Sequence, residues 1–553
     1  MLERKNIRAD FLIIGGGSAG CMAAIRAGEL NPEAEIVIFE KGHIRRSGTI
    51  AMGMDALNVV AVPGGDTPED YIASLIKSCH KILDVRPSYV MAKRSFAILQ
   101  RLESWGVNFP KGENGDYERL QVHPHGRFCV AMEAPDLKVI LARKVKETGA
   151  RVYNRVMATS LLTVGNRVVG ATGLNLRTGE FLVCTARAVL LANGGASRFG
   201  LPNTGYLYGT YDYPGNAGDG YAMAFRAGAQ LTGFECCMQT TIIKDANIPL
   251  LYITLTRGGK VINALGEEID MGGTVSVDKM LREYWEGRGP LFIRLDHLPE
   301  DEIRKIESIL FTTERPMQKR FFEERGLNFR QHPVEIYPTE IYLCGGHGMT
   351  GLVVDETAAT TLEGLFAAGD VACVPRQHLT GAFVFGEIAA ESAQEFLAAG
   401  MPGGLSSEIE EQANQEYNRL VSLINNPGGI IGVKEFEYKV RRIINDYLTS
   451  PKNELKLKNA ILWMQKFRED LPKVIKVRDY HELARAVEIG FIIDCAELCG
   501  MASLARKESR WGVRHFRSDY PETDDANWLK HVILQRGNYP EINTSYKPVD
   551  HKV

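Results

Sequence analysis

No two of the ten cysteines in this 553-residue chain stand in a C-x-x-C spacing; they fall at Cys21, Cys79, Cys129, Cys184, Cys236, Cys237, Cys344, Cys373, Cys495 and Cys499. The scatter argues against an iron–sulfur cluster or zinc knuckle held within the chain. It suits reduced, mostly buried thiols in a cytoplasmic protein. Cys495 and Cys499 share a helix face at i,i+4, which fits core packing better than a redox role. Long apolar runs are missing too. None approaches the ~20 residues that span a bilayer. Ile489–Leu504 carries Asp494 and Glu497 and is predicted to be a buried helix. Charge of one sign is also lacking. With 65 Lys and Arg against 68 Asp and Glu, the net charge of −3 gives no bulk attraction for nucleic acid or an anionic membrane. No internal repeat or low-complexity segment is evident. The first residues run straight into a strand, so no secretory leader is expected.

An apolar share of 45% and a charged share of 24% are those of a globular protein, and the length calls for two or three domains. The informative stretch is DFLIIGGGSAGCMAAIR, residues 10 to 26. An apolar strand, Phe11–Ile14, meets Gly15-Gly16-Gly17, and Gly20 opens an alanine-rich helix. This is G-x-G-x-x-G between a strand and a helix. Gly15 permits the tight turn, Gly17 lets the backbone approach a pyrophosphate, and Gly20 lets the helix pack on the strand. Ser18 and Ala19 complete a turn whose helix N-terminus faces the phosphates. A second strand, EIVIFE, ends at Glu40, twenty residues after Gly20, where a carboxylate accepts hydrogen bonds from an adenosine ribose; Lys41 follows it.

The glycine fingerprint alone does not choose between FAD and NAD. Three later stretches do. AVLLANGGAS (188–197), with Ala192 and Gly194, is a buried strand ending in a small-residue turn. TTLEGLFAAGDVA (360–372) ends in Gly369-Asp370, and LTGAFVFGEIAAESA (379–393), with Gly381 and Phe383, leads into a helix. Together they resemble the fumarate reductase/succinate dehydrogenase flavoprotein superfamily. That resemblance implies FAD, with Gly369-Asp370 on the ribityl-phosphate side and the last helix aimed at the flavin pyrimidine edge. It also gives a role to RRSGTIAMGMDALN (45–58): Arg45, Arg46 and Ser47 by the phosphates, Gly48 to Ala56 against the ring, and Asn58 near the reactive edge. Many succinate dehydrogenases carry a flavin-bonded histidine where Gly48 stands, so the resemblance implies non-covalent FAD.

The branch acting on fumarate and succinate carries a His-Pro-Thr-Gly motif after an A-G-A helix end. Here AMAFRAGAQLTGFE is followed by CCMQTTIIKDANIP (236–249), without that histidine or proline. Its arginine-bearing G-x-R-D helix is replaced by GTVSVDKMLREYWEGRGP, and Gln377 or His378 stands where it clamps a dicarboxylate with arginine. Two carboxylates need fixed positive partners, usually bidentate arginines, so a dicarboxylate is disfavoured. The chain is more similar to the α subunit of dissimilatory adenylylsulfate reductase. The parallels are RRSGTIAMGMDALN, GFECCMQTTIIKDANIP, INALGEEI, EIYLCGGHGMTGLVV, GLFAAGDVACVPRQHLTGAFVFGEIAAESA and ARKESRWGVRHFRSDYPETDDANW, the last with Trp511 and Ser518-Asp519-Tyr520-Pro521. This resemblance implies interconversion of adenosine 5′-phosphosulfate with sulfite and AMP at flavin N5. It implies electrons exchanged with a separate ferredoxin-like iron–sulfur subunit, His347 facing substrate, and Asn58 beside the flavin. Ile242 stands where that family has a substrate-contacting arginine, and the chain is shorter than typical α subunits. A fumarate- or succinate-type flavoprotein acting on another small anionic substrate, and a non-catalytic electron-relay subunit, remain alternatives.

Among single residues, His347 sits between glycines in a loop after a strand, where an imidazole of pKa ~6.5 can meet an anion or move a proton. QVHPHGRF (121–128) offers His125 and Arg127 as substrate-side groups; its His-x-His has no third ligand nearby, so no metal is expected. Arg257, before a Gly-Gly turn, is a candidate for the flavin's substrate face, and His378 for the position of the missing arginine. Arg510, Arg514, His515 and Arg517 form a basic cluster open to binding or salt-bridge roles. NELKLKNAILWMQKFREDL reads as an amphipathic helix with Leu457, Ile461, Trp463, Met464 and Phe467 at core spacing. The polar segment with Lys530, His531, Arg536, Lys547, His551 and Lys552 reads as a solvated tail or a docking strip.

The predicted fold is α/β. A Rossmann-like FAD-binding domain of glutathione-reductase type covers 1–235 and 346–402. An inserted α+β capping domain covers 236–345, a C-terminal helical domain 403–520, and a tail 521–553. MPGGLSS (401–407) reads as a linker, and NNPGG (425–429) as a helix break. The active site is expected between the FAD-binding and capping domains, and assembly into a higher oligomer stays open. Protein made with ample riboflavin should be yellow, and acid precipitation should leave all the flavin in the supernatant. Colour held in the pellet would contradict the reading of Gly48.

Overall fold

The structure, a computed structural model, describes residues 2–120, 126–202, 212–246, 251–271, 277–314, 317–399, 407–537 and 541–553. Its first strand, Arg4–Ile14, begins with alternating exposure and ends in four buried residues. A continuous apolar run of this kind belongs inside a parallel sheet covered on both faces. Ile36–Glu40 lies parallel to it on one side, with Arg151–Asn154 beyond; Phe181–Leu191 lies parallel on the other. The outer edge of Phe181–Leu191 is shared. Its first half pairs antiparallel with Arg167–Asn175, which pairs with Val156–Val164, while its last three residues pair parallel with Leu365–Ala367. The result is a seven-stranded sheet in which Ile14, Glu40, Leu191 and Ala367 end at one edge. Ligand crevices form at that carboxyl edge. Helices Ser18–Leu30 and His378–Ala398 pack on each other and begin there.

Between these two parts, Thr241–Ile243, Val334–Pro338, Leu291–Arg294 and Lys260–Ile262 form an antiparallel sheet. This cap has its own core, in which Val261, Ile293, Ile306, Phe322 and Ile336 are buried together, apart from the main one. Helices Ser407–Ile424, Val433–Leu448, Glu454–Val474 and Tyr480–Ala505 follow. The break at Asn425–Gly429 separates the first two, as the sequence predicts. The predicted linker at 401–407 lies outside the described residues except for Ser407. In Glu454–Val474, Leu457, Met464 and Phe467 are buried as expected, but Trp463 is 40% exposed, with Lys466 over its ring at 5.3 Å.

The last segment is not a solvated tail. Lys530–Arg536 buries Val532, Ile533 and Leu534, pairs antiparallel with Leu231–Thr232, and carries Ile542–Pro548 as an outer strand. Its polar composition misled because the outer strand exposes most of its residues. His531 and Lys547 both reach Asp84, at 3.1 and 2.7 Å.

A chain of buried charges ties the helical domain to the sheet. Glu437 and Glu488, on different helices, bracket Arg198 at 2.8 and 2.6 Å, and Glu437 also meets Arg441 at 3.0 Å. Glu488 continues to Lys41 at 2.9 Å, at the rim of the carboxyl edge. Arg198, Glu437 and Arg441 have no exposed surface, so removing one partner leaves uncompensated charge in a low-dielectric interior. Glu437→Ala should lower stability by about 3–5 kcal/mol, read as a fall in the denaturant midpoint. A shift within error would show the cluster to be energetically neutral.

Candidate active site at the carboxyl edge

A cavity of about 400 Å³ opens at the carboxyl edge, within the ~300–1,000 Å³ of cofactor clefts. Gly15, Gly17, Ser18 and Ala19 line it from the first turn, and Glu40, Lys41, Gly48 and Asn58 from the next segment. Ala192, Gly194, Gly369 and Asp370 line it from the later strand ends, with His347 and His378 beside them.

The turn's geometry requires its glycines. Gly15 has φ +106°, and a Cβ there would lie 2.4 Å from the Ala192 carbonyl oxygen; one on Gly20 would lie 1.8 Å from that of Gly15. Gly20 therefore packs behind the turn rather than lining the cavity. On Gly17 the nearest atom would be 3.9 Å away, so that side is open. Helix Ser18–Leu30 starts with no side-chain cap and no acidic residue in its first turn, leaving its N–H groups for an anion. The Glu40 carboxylate accepts from the Gly16 amide at 2.8 Å and the Gly42 amide at 2.5 Å. Buried Lys138, which carries no motif in the sequence, donates to the Gly16 carbonyl from behind.

Lys41 lines the cavity, but its ammonium is committed to the Gly215 carbonyl at 2.7 Å, to Glu488 and to Asp219. Asn193, Tyr213, Asn216 and Asp219 also line it. Asn193, Tyr213 and Asn216 lie in loops with no periodicity to reveal them, and Asp219 opens the helix Asp219–Ala227. The Asn193 Oδ1 and Asp219 Oδ1 atoms are buried and accept no hydrogen bond among the described residues. Leaving such acceptors unmet costs ~1–3 kcal/mol each. A dinucleotide, with its hydroxyl and amino donors and its pyrophosphate, fits this lining.

At the other end, helix His378–Ala398 also begins without a side-chain cap or first-turn acid. Arg376 and His378, flanking Gln377, hold φ of 60° and 49°, the left-handed region that side chains rarely adopt and that clusters at functional sites. The Arg376 carbonyl accepts from the Tyr71 hydroxyl at 2.8 Å and Asn58 Nδ2 at 3.3 Å. The His347 and His378 rings stand 5.0 Å apart. Arg376 and Arg514 also line the cavity, and neither guanidinium meets a carboxylate among the described residues. Burial, and then Arg514, hold Arg376 below the ordinary arginine value.

Several expected residues lie elsewhere. Arg45 and Arg46 are exposed, because the turn closed by the Arg46 amide on His43 at 2.7 Å sends them to solvent; Ser47 is buried but is not part of the lining. Gly381 and Phe383 are buried within the helix, and Ala382 takes the lining position. Arg257 is not a lining residue: its guanidinium turns back on the Ile253 carbonyl at 3.2 Å. Gln377 is buried and donates to the Gly369 carbonyl at 2.9 Å, and Ile242 is buried in the cap sheet opposite Tyr337. Arg127 is exposed, and His125 lies outside the described residues.

Fold and lining together define a dinucleotide-binding enzyme of the parallel-sheet type beneath an inserted cap. Residues 10–381 match the FAD binding domain family and residues 437–553 the fumarate reductase flavoprotein C-terminal family. The chain belongs to this fumarate reductase/succinate dehydrogenase flavoprotein superfamily and is an FAD-dependent oxidoreductase. It is 27% identical over 564 residues to an uncharacterized FAD-dependent oxidoreductase of Methanocaldococcus jannaschii, covering 96% of each chain. It is 27% identical over 581 residues to one subunit of the fumarate reductase (CoM/CoB) of Methanothermobacter marburgensis, covering 98% of this chain and 100% of that one. Among solved structures, adenylylsulfate reductase of Archaeoglobus fulgidus superposes with a TM-score of 0.89 at 26% identity, covering 99% of this chain and 96% of that one. Among the described residues no helix is long and apolar enough to cross a membrane.

Burial and neighbouring Asp212 push the Asp370 carboxyl up to about 6, against the pull of His347. The sign follows from linkage. A carboxyl raised in the folded state contributes stability that is complete below its unfolded pKa of ~3.9 and lost as pH rises through the folded value. The Asp370 contribution to the stability of flavin-free protein should therefore fall between about pH 4 and about pH 6.5, so the denaturant midpoint of wild type should drop relative to that of Asp370→Asn across this range. Identical profiles would dismiss the shift.

Proposed function

We propose that FAD lies non-covalently along this cavity and that a small anionic substrate is held against it by Arg376 and Arg514. The observation that carries the reading is a pair of arginines, Arg376 and Arg514, without carboxylate partners among the described residues, lining the same cavity as the glycine turn and Gly369-Asp370. Gly15, Gly17, Ser18 and Ala19 receive the pyrophosphate. Glu40 has lone pairs left for the ribose. Ala192, Gly194, Gly369 and Asp370 flank the remainder, and Gly48, without a side chain, leaves the cofactor unlinked. FAD bound there supplies electron-pair exchange at its isoalloxazine N5. The helix beginning at His378 favours negative charge at the ring edge next to it. Arg376 and Arg514 bind and orient the anion by charge-assisted hydrogen bonds. His347 and His378 donate or accept the accompanying proton, and Asn58 fixes the loop that presents Arg376. The cap excludes water from the cleft.

The finer reading is adenylylsulfate-reductase-like chemistry, with electrons exchanged through a separate iron–sulfur protein in the cytoplasm. The near full-length likeness to the Archaeoglobus enzyme supports it, as does a cysteine set without C-x-x-C spacing. The Methanothermobacter relative, named as a fumarate reductase subunit, keeps a carboxylate substrate as the second reading.

The test follows the flavin absorbance anaerobically with sulfite, AMP plus sulfite, adenylylsulfate and fumarate. AMP-dependent bleaching by sulfite is expected. Arg376→Ala and Arg514→Ala should each weaken the response by roughly 10- to 100-fold, the ~1.5–3 kcal/mol of a hydrogen bond to a charged group. Reoxidation by fumarate alone would select the carboxylate reading, and silence toward every anion with flavin retained would leave a relay subunit.

A further inference from the structure

Outside the cavity's lining lies a dithiol that the proposed reaction does not use. Cys237 and Cys499 are both buried, with their Sγ atoms 3.2 Å apart. They come from distant parts of the chain. Cys237 stands just before the cap strand Thr241–Ile243, and Cys499 lies in helix Tyr480–Ala505. Lys452 Nζ is 3.6 Å from the Cys237 sulfur and donates to the Glu235 carbonyl at 2.9 Å and to Ser503 Oγ at 3.1 Å. Lys452 has no exposed surface and meets no carboxylate among the described residues. A buried ammonium is costly unless an anion faces it, and the acid in contact with it is the Cys237 thiol.

We propose that Cys237 and Cys499 are an oxidisable pair, a modification site at which a hydroperoxide joins the entry of the cap to the C-terminal helix through a disulfide. Cys237, as thiolate, attacks one oxygen of hydrogen peroxide. An S–O bond forms, the O–O bond breaks, and hydroxide leaves and takes up the proton released when the thiol ionised. The Cys499 sulfur then attacks the sulfenic sulfur. The S–S bond forms, the S–O bond breaks, and the Cys499 proton leaves with the second hydroxide. Two thiols and one peroxide give one disulfide and two waters. A disulfide of ~2.05 Å requires the two sulfurs to close by only about 1.2 Å from their 3.2 Å separation.

The assignment of Cys237 as nucleophile agrees with its surroundings. The hydrogen bond from Cys499, and Lys452 next, hold its thiol below the ordinary value, whereas the other nine cysteines are all raised. Thiolates, not thiols, react. The neighbouring Cys236 feels the charge of Arg514, so the disulfide would pin the segment beside the proposed anion site.

The holoprotein is treated with hydrogen peroxide, denatured in alkylating reagent, digested and mapped by mass. A Cys237–Cys499 peptide pair, reversed by dithiothreitol, should form ~10-fold faster than Cys373 is lost. Cys373 is the one cysteine that is not fully buried, so accessibility alone predicts the opposite order. In Cys499→Ser the sulfenic acid should be trapped at Cys237 by dimedone, and in Cys237→Ser no adduct should appear at Cys499. Loss of Cys373 first, with Cys237 and Cys499 still alkylated as free thiols, overturns the proposal, as does a linked peptide that forms only in urea. Should Cys237→Ser fail to fold, the wild-type protein and Cys499→Ser still decide it.

Discussion

The Glu40 carboxylate, buried at the end of its strand, takes hydrogen bonds from the amides of Gly16 and Gly42. That one group locks the first glycine turn to the strand beside it. The Ala192 amide, bonded to the Ile14 carbonyl at 2.8 Å, locks the turn on its other side. Lys138 closes it from behind. With the turn held on three sides, only the Gly17 face is open, and the uncapped helix N-terminus points there. The other lining segments then need only reach the same edge. The parallel register of Ile14, Phe39, Leu191 and Ala367 delivers them, because strands that run together end together.

This explains what the sequence could disclose. A glycine turn, a strand-ending glutamate and Gly369-Asp370 are local patterns tied to backbone geometry, so their convergence is readable without coordinates. The substrate end is less so. Arg510, Arg514, His515 and Arg517 form one basic cluster on paper. In the fold Arg510 is spent on Glu508 and Asp525, Arg517 on Asp519, and His515 is kept neutral by burial among Lys452, Arg506 and Arg517. Arg514 alone of the four lines the cavity. Which arginine is already paired depends on partners far along the chain, and no spacing rule encodes that. Arg376 escapes the sequence for a related reason. The motif places the missing arginine at Gln377 or His378, but left-handed backbone at Arg376 and His378 turns both side chains to the cavity and leaves Gln377 buried against Gly369. The final segment illustrates the converse: a polar composition hides a strand whose three apolar residues complete a sheet with Leu231–Thr232.

Two treatments of charge separate scaffold from site. In the scaffold, three cations at the helical domain are met by carboxylates: Arg198 has two, Lys41 has two, and Arg506 has Glu235 and Glu508. Such pairs fix geometry because breaking one leaves a bare charge. At the proposed substrate end Arg376 and Arg514 have no such partner among the described residues, and burial, then the field of Arg514, holds Arg376 below its ordinary value. An anion entering between them relieves both desolvation and repulsion, so part of its binding energy is stored in the site before it arrives. A neutral ligand of the same shape gains none of this. In the proposed site, selection for negative charge thus follows from what the arginines lack among the described residues, before any feature of the substrate's shape is read. On the proposed reading, choice among anions is left to His347, His378 and the cap.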